Sequence, residues 1–529
     1  MTDPSDTASD ARPRVPRRAL KWAFVMNWGQ RGLATIFTVV LAALLGPHDF
    51  GVVALALVYV AFIDLFVEQG VVTAIVQRKD LDDAHLHSAF WINLAWCIVL
   101  AGVSVALSGP WARANDLPEL EGVIDVLSIT IVLWAFTIVQ RALLERGMEF
   151  RKLAIRANVG AFVGGCVGVG LAIAGAGVWA LVGQQLALTV TSVVLFFVLG
   201  RWVPRFRFSR HHARELFSFS VSVFAANVAG FLSRRSDILL MGLFFSPVVV
   251  GIYRLADRLV DTLLELSVRP VGLISLPHFS RLQDDPEGLR RSVGSCLRLA
   301  LFLVIPAMLV LASCSQYVLG ILGSKWSPGV DALRLLALVG IVKAIIFFTG
   351  PLLFALGRPA FRAIMLWGQA ALSAGVVVAA GLVLAGSSVE DQLTGTAGSR
   401  ALLFLLVFLP ANLLIVTHLT GLRMREVVVW FPVPVASGLV AIAAVALVGA
   451  TGVLDGLSPV PALLVAGSVA VATALGSLIV LEREVRDETL VLLRRGRAFA
   501  GSAAEPEPAD VPGDLGFESE SLLTPSADR

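Results

Sequence analysis

Apolar runs of about 20 residues, the length that crosses the hydrocarbon core of a bilayer, recur along this chain from Val25 to Val480. No other feature limits the fold as tightly. In lipid every backbone N–H and C=O must find a partner inside the protein, so only helices and closed barrels span. Unbroken runs of this length select helices. Only 15% of the 529 residues are charged, against about 25% in soluble domains, and mean hydropathy is +0.82. The fold class is an all-α polytopic membrane protein.

Spans are expected near 24–45, 50–72, 88–108, 122–143, 153–174, 177–199, 217–244, 248–270, 293–313, 331–355, 361–385, 400–420, 430–450 and 461–481, about 14 transmembrane helices. Charge in the loops tests this count. Basic residues gather at Arg12–Lys21, Arg78/Lys79, Arg141–Arg156, Arg201–Arg214, Arg281–Arg298, Arg358/Arg362, Arg423/Arg425 and Arg483–Arg497. The alternate loops 46–51, 174–177, 245–250 and 451–460 are nearly free of them. By the positive-inside rule both termini are cytoplasmic. The sequence pI of 8.8 therefore reflects short basic loops and does not indicate nucleic acid as a partner.

The expected organisation is a disordered cytoplasmic leader over residues 1–20 and a first lobe of six spans over 21–200. A second six-span lobe covers 201–425, and two further spans cover 426–482. A cytoplasmic tail follows over 483–529, acidic and disordered from about residue 501. No signal peptide is expected, because the first apolar run leads straight into another. The cysteines Cys97, Cys166, Cys296 and Cys314 lie inside apolar runs and read as small core residues. His85/His87 and His211/His212 lack partners at ligand spacing, so neither a metal nor a cofactor is expected.

The chain repeats itself. A shift of 200 residues superposes Phe24 on Phe224, Asn27 on Asn227, Pro47 on Pro247 and Gly51 on Gly251. Leu55, Ala56, Val60 and Val71 also meet identical residues. Spans 1–2 and 7–8 run in the same direction, so the repeat predicts two pseudo-symmetric lobes around a central cavity holding the substrate.

One span breaks the apolar rule. Gly251–Arg269 carries Arg254, Asp257, Arg258, Asp261, Glu265 and Arg269. At about 100° per residue these fall within an arc of about 120°. Such a stripe cannot face lipid, so it must face the bundle interior or a water-filled cavity. Elsewhere, Gly160, Gly164 and Gly168 form a ridge on span 5 that admits a close neighbour. His278–Arg291 reads as a polar, helical connector between spans 8 and 9. Trp22, Trp111, Trp326 and Trp430 near span ends read as interface anchors.

Four stretches resemble a known family. They are Leu44–Asn93 (LLGPHDFGVVALALVYVAFIDLFVEQGVVTAIVQRKDLDDAHLHSAFWIN), Glu145–Ala154 (ERGMEFRKLA), Gly251–Leu259 (GIYRLADRL) and Leu276–Asp285 (LPHFSRLQDD). The chain resembles the bacterial polysaccharide flippases of the multidrug/oligosaccharidyl-lipid/polysaccharide exporter superfamily, in the colanic-acid and teichuronic-acid export branch, over roughly residues 20–480. The resemblance implies a V-shaped bundle with a cationic cavity and alternating access. The implied cargo is an isoprenoid-pyrophosphate-linked oligosaccharide, moved from the cytoplasmic to the outer leaflet of the inner membrane. The implied partners are the bilayer, the lipid-linked oligosaccharide, and a polysaccharide polymerase with its co-polymerase as further candidates.

A pyrophosphate needs cationic donors, and the planar fork of arginine suits it. An intramembrane arginine costs at least about 2.5–3.5 kcal/mol on insertion scales and is seldom idle. The candidate substrate-binding residues are Arg31, Arg234, Arg254 and Arg258, with Asn27 and Asn227 on shared faces. The competing reading is that these charges pair with one another. Asp64, Glu68, Arg235, Asp237, Asp257, Asp261 and Glu265 are the candidates for ion coupling or structural ion pairs. Lys343, alone in span 10, is expected to pair across the bundle or snorkel.

Two other classes stay open. A drug or cation extruder would favour an acidic, aromatic-rich pocket, and this chain has only 3 Tyr. An enzyme acting on lipid-linked glycans would favour a long outer loop, whereas loops 109–121 and 386–399 are both short. No nucleotide-binding motif is present, and no catalytic residue is expected.

Overall fold

Proline sets where many of the helices begin. Its ring fixes φ near the helical value, and its missing N–H costs nothing in the first turn. In the computed structural model, which describes residues 17–67, 75, 82–200, 202–206, 221–454 and 456–481, proline opens α2 (Pro47–Asp64), α8 (Pro247–Arg281), α9 (Pro286–Ser313), α11 (Pro359–Leu384), α14 (Pro432–Ala450) and α15 (Pro459–Leu481). The remaining long helices are α1 (Arg17–Leu44), α3 (Asp83–Ala114), α4 (Glu119–Arg146), α5 (Phe150–Ile173), α6 (Val178–Leu199), α7 (Val221–Met241), α10 (Val330–Ala355), α12 (Val389–Leu403) and α13 (Leu409–Thr420). Asp82 caps α3 through the His85 amide, and Asp285 caps α9 through the Gly288 amide.

Helices overlap each of the expected span positions, but among the described residues 11, not fourteen, are long and apolar enough to cross a membrane. The helices α1, α7 and α8, which carry the charged residues of interest, fall outside that group. The chain divides into two compact units, Met1–Ser477 and Leu478–Arg529. Of the second, only the last turn of α15 is described. The expected leader and tail lie outside the described residues, except that α1 already begins at Arg17.

Two sets of helices pack within the first unit. In the N-terminal set α5 lies on α1 and α6, and α4 lies on α3 and α6. The Gly160–Gly164–Gly168 ridge takes Leu188 and Gln184 of α6, as its spacing predicts. In the C-terminal set α10 packs on α8, α9 and α12, and α11 packs on α7 and α12. The two sets meet where α2 lies against α7 and α8. At the start of that crossing the repeat becomes physical. A Cβ on Gly51 would overlap the Pro247 carbonyl, and a Cβ on Gly251 would overlap the Pro47 carbonyl. Two proline–glycine helix starts thus exchange backbone contacts reciprocally, which only glycine permits.

Four sequence expectations change. The connector His278–Arg291 is not a separate helix. α8 runs through to Arg281, a four-residue turn follows, and α9 starts at Pro286. At about 1.5 Å per residue the 35 residues of α8 exceed the about 30 Å of a hydrocarbon core, so the helix projects beyond it. The outer loop 386–399 is mostly the start of α12, which begins at Val389. That helix passes through a π-helical turn at Phe404–Phe408 before Pro410. Proline removes one N–H donor, and the wider turn accommodates the shift. Trp326 is no interface anchor. It is fully buried, donates Nε1–H to the Ala42 carbonyl at 2.9 Å, and meets Phe50 edge-on at 5.4 Å. Cys166, expected in the core, is exposed on α5, whereas Cys97 and Cys314 are buried and Cys296 is half-buried.

Candidate functional site

The charged stripe of α8 turns in two directions. One side enters the core of the C-terminal set. Asp257 is 3% exposed, and its Oδ1 receives Lys343 Nζ of α10 at 3.1 Å. Lys343 also reaches Asp261 Oδ1, one turn further along, at 2.8 Å. From α12, Arg400 pairs with Asp237 of α7, donates to the Tyr253 hydroxyl at 2.5 Å and stands 3.7 Å from Asp257 Oδ1. Its guanidinium lies 5.9 Å from the Tyr253 ring and 5.6 Å from Phe404. The Tyr253 hydroxyl in turn donates toward Asp237 Oδ2 at 3.5 Å. Arg254 closes the group with a 3.5 Å contact to Asp257 Oδ2.

Four helices therefore share one buried network, in which three cations face three carboxylates. Isolated charges at this depth would be untenable, and mutual pairing makes them tolerable. Two atoms of the network, Asp237 Oδ1 and Arg400 Nε, are buried without a hydrogen-bond partner. The network has no counterpart under the repeat: the residues 200 positions before Asp237, Tyr253, Asp257 and Asp261 are Phe37, Val53, Leu57 and Ala61.

The other side of the stripe is cationic. Arg258 is half-buried and lies, with Arg254, within Coulombic reach of Arg235 on α7. Arg234 is exposed and lies within reach of Arg235 and of Arg362 on the first turn of α11. Asp257 and Asp261, the nearest carboxylates, are already engaged by Lys343. Five guanidinium groups line the seam of α7, α8 and α11: Arg254 is paired with Asp257 and Arg258 lies near Asp261, whereas Arg234 and Arg362 have further guanidinium groups as their charged neighbours.

Between the helix sets, Arg31 of α1 pairs with Glu265 of α8. The pair is partly exposed, at 28% and 41%. Phe62 of α2 meets Phe231 of α7 at 5.9 Å. Asp64 is half-buried at the end of α2 and within Coulombic reach of Cys97 on α3. Asn227 is exposed on α7. Glu68 and the side chains of Asn27 and Arg269 lie outside the described residues.

The structure thus gathers Arg234, Arg235, Arg254 and Arg258 along one seam and sets Arg31 opposite Glu265. Arg400 and Tyr253 are members that sequence reasoning missed. Arg400 reads as the charged end of a loop until α12 is seen to start at Val389. The signal was present, because Leu393, Ala397, Arg400 and Phe404 follow helical spacing and all are buried. Three pockets of about 420–500 Å³ lie away from this seam: one beside Trp202 and Gln140, one beside Arg291 and Trp430, and one beside Tyr317 and Arg334.

A family model described as polysaccharide biosynthesis protein matches residues 40–331. The succinoglycan biosynthesis transport protein ExoT of Rhizobium meliloti is 27% identical over 322 residues, which span 61% of this chain and 65% of that protein. The lipopolysaccharide biosynthesis protein WzxC of Escherichia coli is 26% identical over 343 residues, spanning 64% and 69%. A solved structure of lipid II flippase MurJ in an inward closed conformation superposes with a TM-score of 0.70 at 12% identity. It covers 88% of this chain and 99% of that one. The likeness establishes a shared fold.

Proposed function

Because this chain belongs to the polysaccharide biosynthesis protein family, we propose that it is a flippase carrying an isoprenoid-pyrophosphate-linked oligosaccharide from the cytoplasmic to the outer leaflet of the inner membrane. The observation that carries the reading is the crowd of guanidinium groups at Arg234, Arg235, Arg254, Arg258 and Arg362. Like charges gathered in a poorly hydrated seam repel one another. A bound pyrophosphate relieves several such repulsions at once, and planar guanidinium groups grip its oxygens in pairs.

Two lobes, residues 21–200 and 201–425, rock about the α2–α8 crossing and expose this seam to each side in turn. Residues 426–482 add two flanking helices. The reciprocal glycine contacts and Trp326 close the outer end, and Arg31–Glu265 couples the lobes nearer the cytoplasm. Asn27 and Asn227 contribute hydrogen bonds to the sugar or phosphate. Asp64 and Glu68, or Asp257 and Asp261, couple transport to an ion gradient. No bond of the cargo is made or broken. Both termini are cytoplasmic, and the polymer is completed by a polymerase and co-polymerase.

Deletion of the chromosomal gene, followed by extraction of the carrier-linked glycan pool, tests this. The expected result is accumulation of the oligosaccharide on the cytoplasmic side, cleared by re-expression. An unchanged pool alongside normal polymer would refute the assignment.

A further inference from the structure

Beside the α2–α8 crossing lies a segment that belongs to neither helix. Between α9 and α10 the chain forms a short helix, Ser315–Gly320, and then a single 3-10 turn, Ser324–Gly329. Gly323 precedes the turn at φ 97°, a left-handed conformation that glycine adopts without strain. One side of the turn is bare, with Ser324, Lys325 and Ser327 exposed. From the other side a single large ring enters the protein. Trp326 is fully buried, and its polar and aromatic partners lie in the N-terminal set. Its Nε1–H reaches the Ala42 carbonyl of α1 at 2.9 Å, and its ring meets Phe50 of α2 edge-on at 5.4 Å.

The Ala42 carbonyl is available for a local reason. Ala42 lies two residues before the end of α1, where carbonyls lack a partner in their own helix. The amide that would continue the ladder is that of Gly46, four residues on, and it donates to the Asp49 carboxylate at 3.2 Å. Ala42 is itself fully buried, so in this state the carbonyl depends on a protein donor. An indole has one donor and no acceptor, so this one bond satisfies the Trp326 side chain completely.

The turn can withdraw without breaking α10, which begins after it. Its polar face is already exposed, and water would satisfy both the indole N–H and the Ala42 carbonyl once the ring is out. Its far end is seated on the C-terminal set, where a Cβ on Gly329 would overlap Ile252 of α8. The neighbouring Gly51–Gly251 crossing packs backbone on backbone without a directional bond, and the indole supplies one.

Resting on the transport reading above, we propose that Trp326 is the latch of the outer end. Carried by the C-terminal set, its indole caps α1 of the N-terminal set in the closed state and withdraws each time that end opens. The latch lies on the face whose loops carry few basic residues, opposite the cytoplasm.

The test measures opening instead of export. Ala42→Cys is placed in the full-length chain with its 4 native cysteines kept, and spheroplasts are treated with an impermeant thiol reagent. Labelling is read peptide by peptide by mass spectrometry, and it follows the population of the open state. Cys97, fully buried in the N-terminal set, reports any general loosening of the fold. Trp326→Phe keeps an aromatic ring and removes the N–H donor. It is expected to raise labelling at position 42 by about tenfold, the scale of one lost buried hydrogen bond, and to leave Cys97 protected. Trp430→Phe, elsewhere in the C-terminal set, should change nothing. Unchanged labelling in Trp326→Phe would overturn the latch. Labelling of Cys97 alongside position 42 would also overturn it, by making Trp326 an ordinary core residue, as would an equal rise in Trp430→Phe. None of these readouts depends on cargo, so the latch and the gene-deletion test of transport can fail separately.

Discussion

Arg400→Met tests whether the buried network is a coupled unit. Arg400 is 6% exposed, and Asp237 and Asp257 are each 3% exposed, so water cannot replace the lost cation. Methionine keeps most of the volume but strands Asp237 and weakens compensation of Asp257. Removing one partner of a buried pair costs about 3–5 kcal/mol, most of it from the uncompensated charge left behind. Asp237→Asn in the same chain removes that charge. The double variant should then lose only hydrogen-bond and ring contacts, about 1–2 kcal/mol. Thermal unfolding of detergent-solubilised protein, followed by fluorescence-detected size exclusion, should rank wild type first, the double variant second and Arg400→Met last. If Arg400→Met melts with wild type, or the double variant melts no higher than the single, the charges are not coupled and the reasoning fails.

Arg254→Ala and Arg258→Ala should insert at wild-type levels yet lose export. Wild-type glycan export by both, at matched membrane abundance, would remove them from the cargo path. Trp326→Ala empties a fully buried site between the helix sets and should cost about 3–5 kcal/mol, read as an early thermal transition. Arg31→Gln should leave stability within about 1 kcal/mol, because the pair with Glu265 is solvent-accessible, while slowing export. The swap Arg31→Glu/Glu265→Arg should restore export if the pairing itself gates the lobes, and no rescue would argue for cargo contact at Arg31. Gly251→Leu should force α2 and α8 apart, raising labelling of a cysteine placed at position 48 by an impermeant thiol reagent. Unchanged labelling would mean that the outer closure does not rest on that crossing.

Much of this architecture is legible in one dimension because the bilayer demands it. A helix must be apolar over about 20 residues to cross, so the helix positions follow from hydropathy. The 200-residue repeat is visible because Pro47 and Gly51, and Pro247 and Gly251, sit where two backbones touch, and few residue types are tolerated there. The charged face of α8 is legible for the same reason, since charge in a span is expensive.

Which charge meets which is a different matter. The α8 stripe read as charges pairing with one another, but Asp261 is held by Lys343, 82 residues away. Asp64 and Glu68 stood as ion-pair candidates in the same lobe as Arg31, but the structure gives Arg31 to Glu265. Arg400 and Trp326 stand near span ends, where charge and indole rings are ordinary, and only packing carries them into the core. The sequence by itself determined a helical, membrane-spanning repeat with a polar stripe, because the solvent outside each helix dictates residue type position by position. Only the tertiary structure decided the ion pairs, because a buried charge is satisfied by whichever helix lies beside it, and that neighbour is set by the packing of the whole bundle.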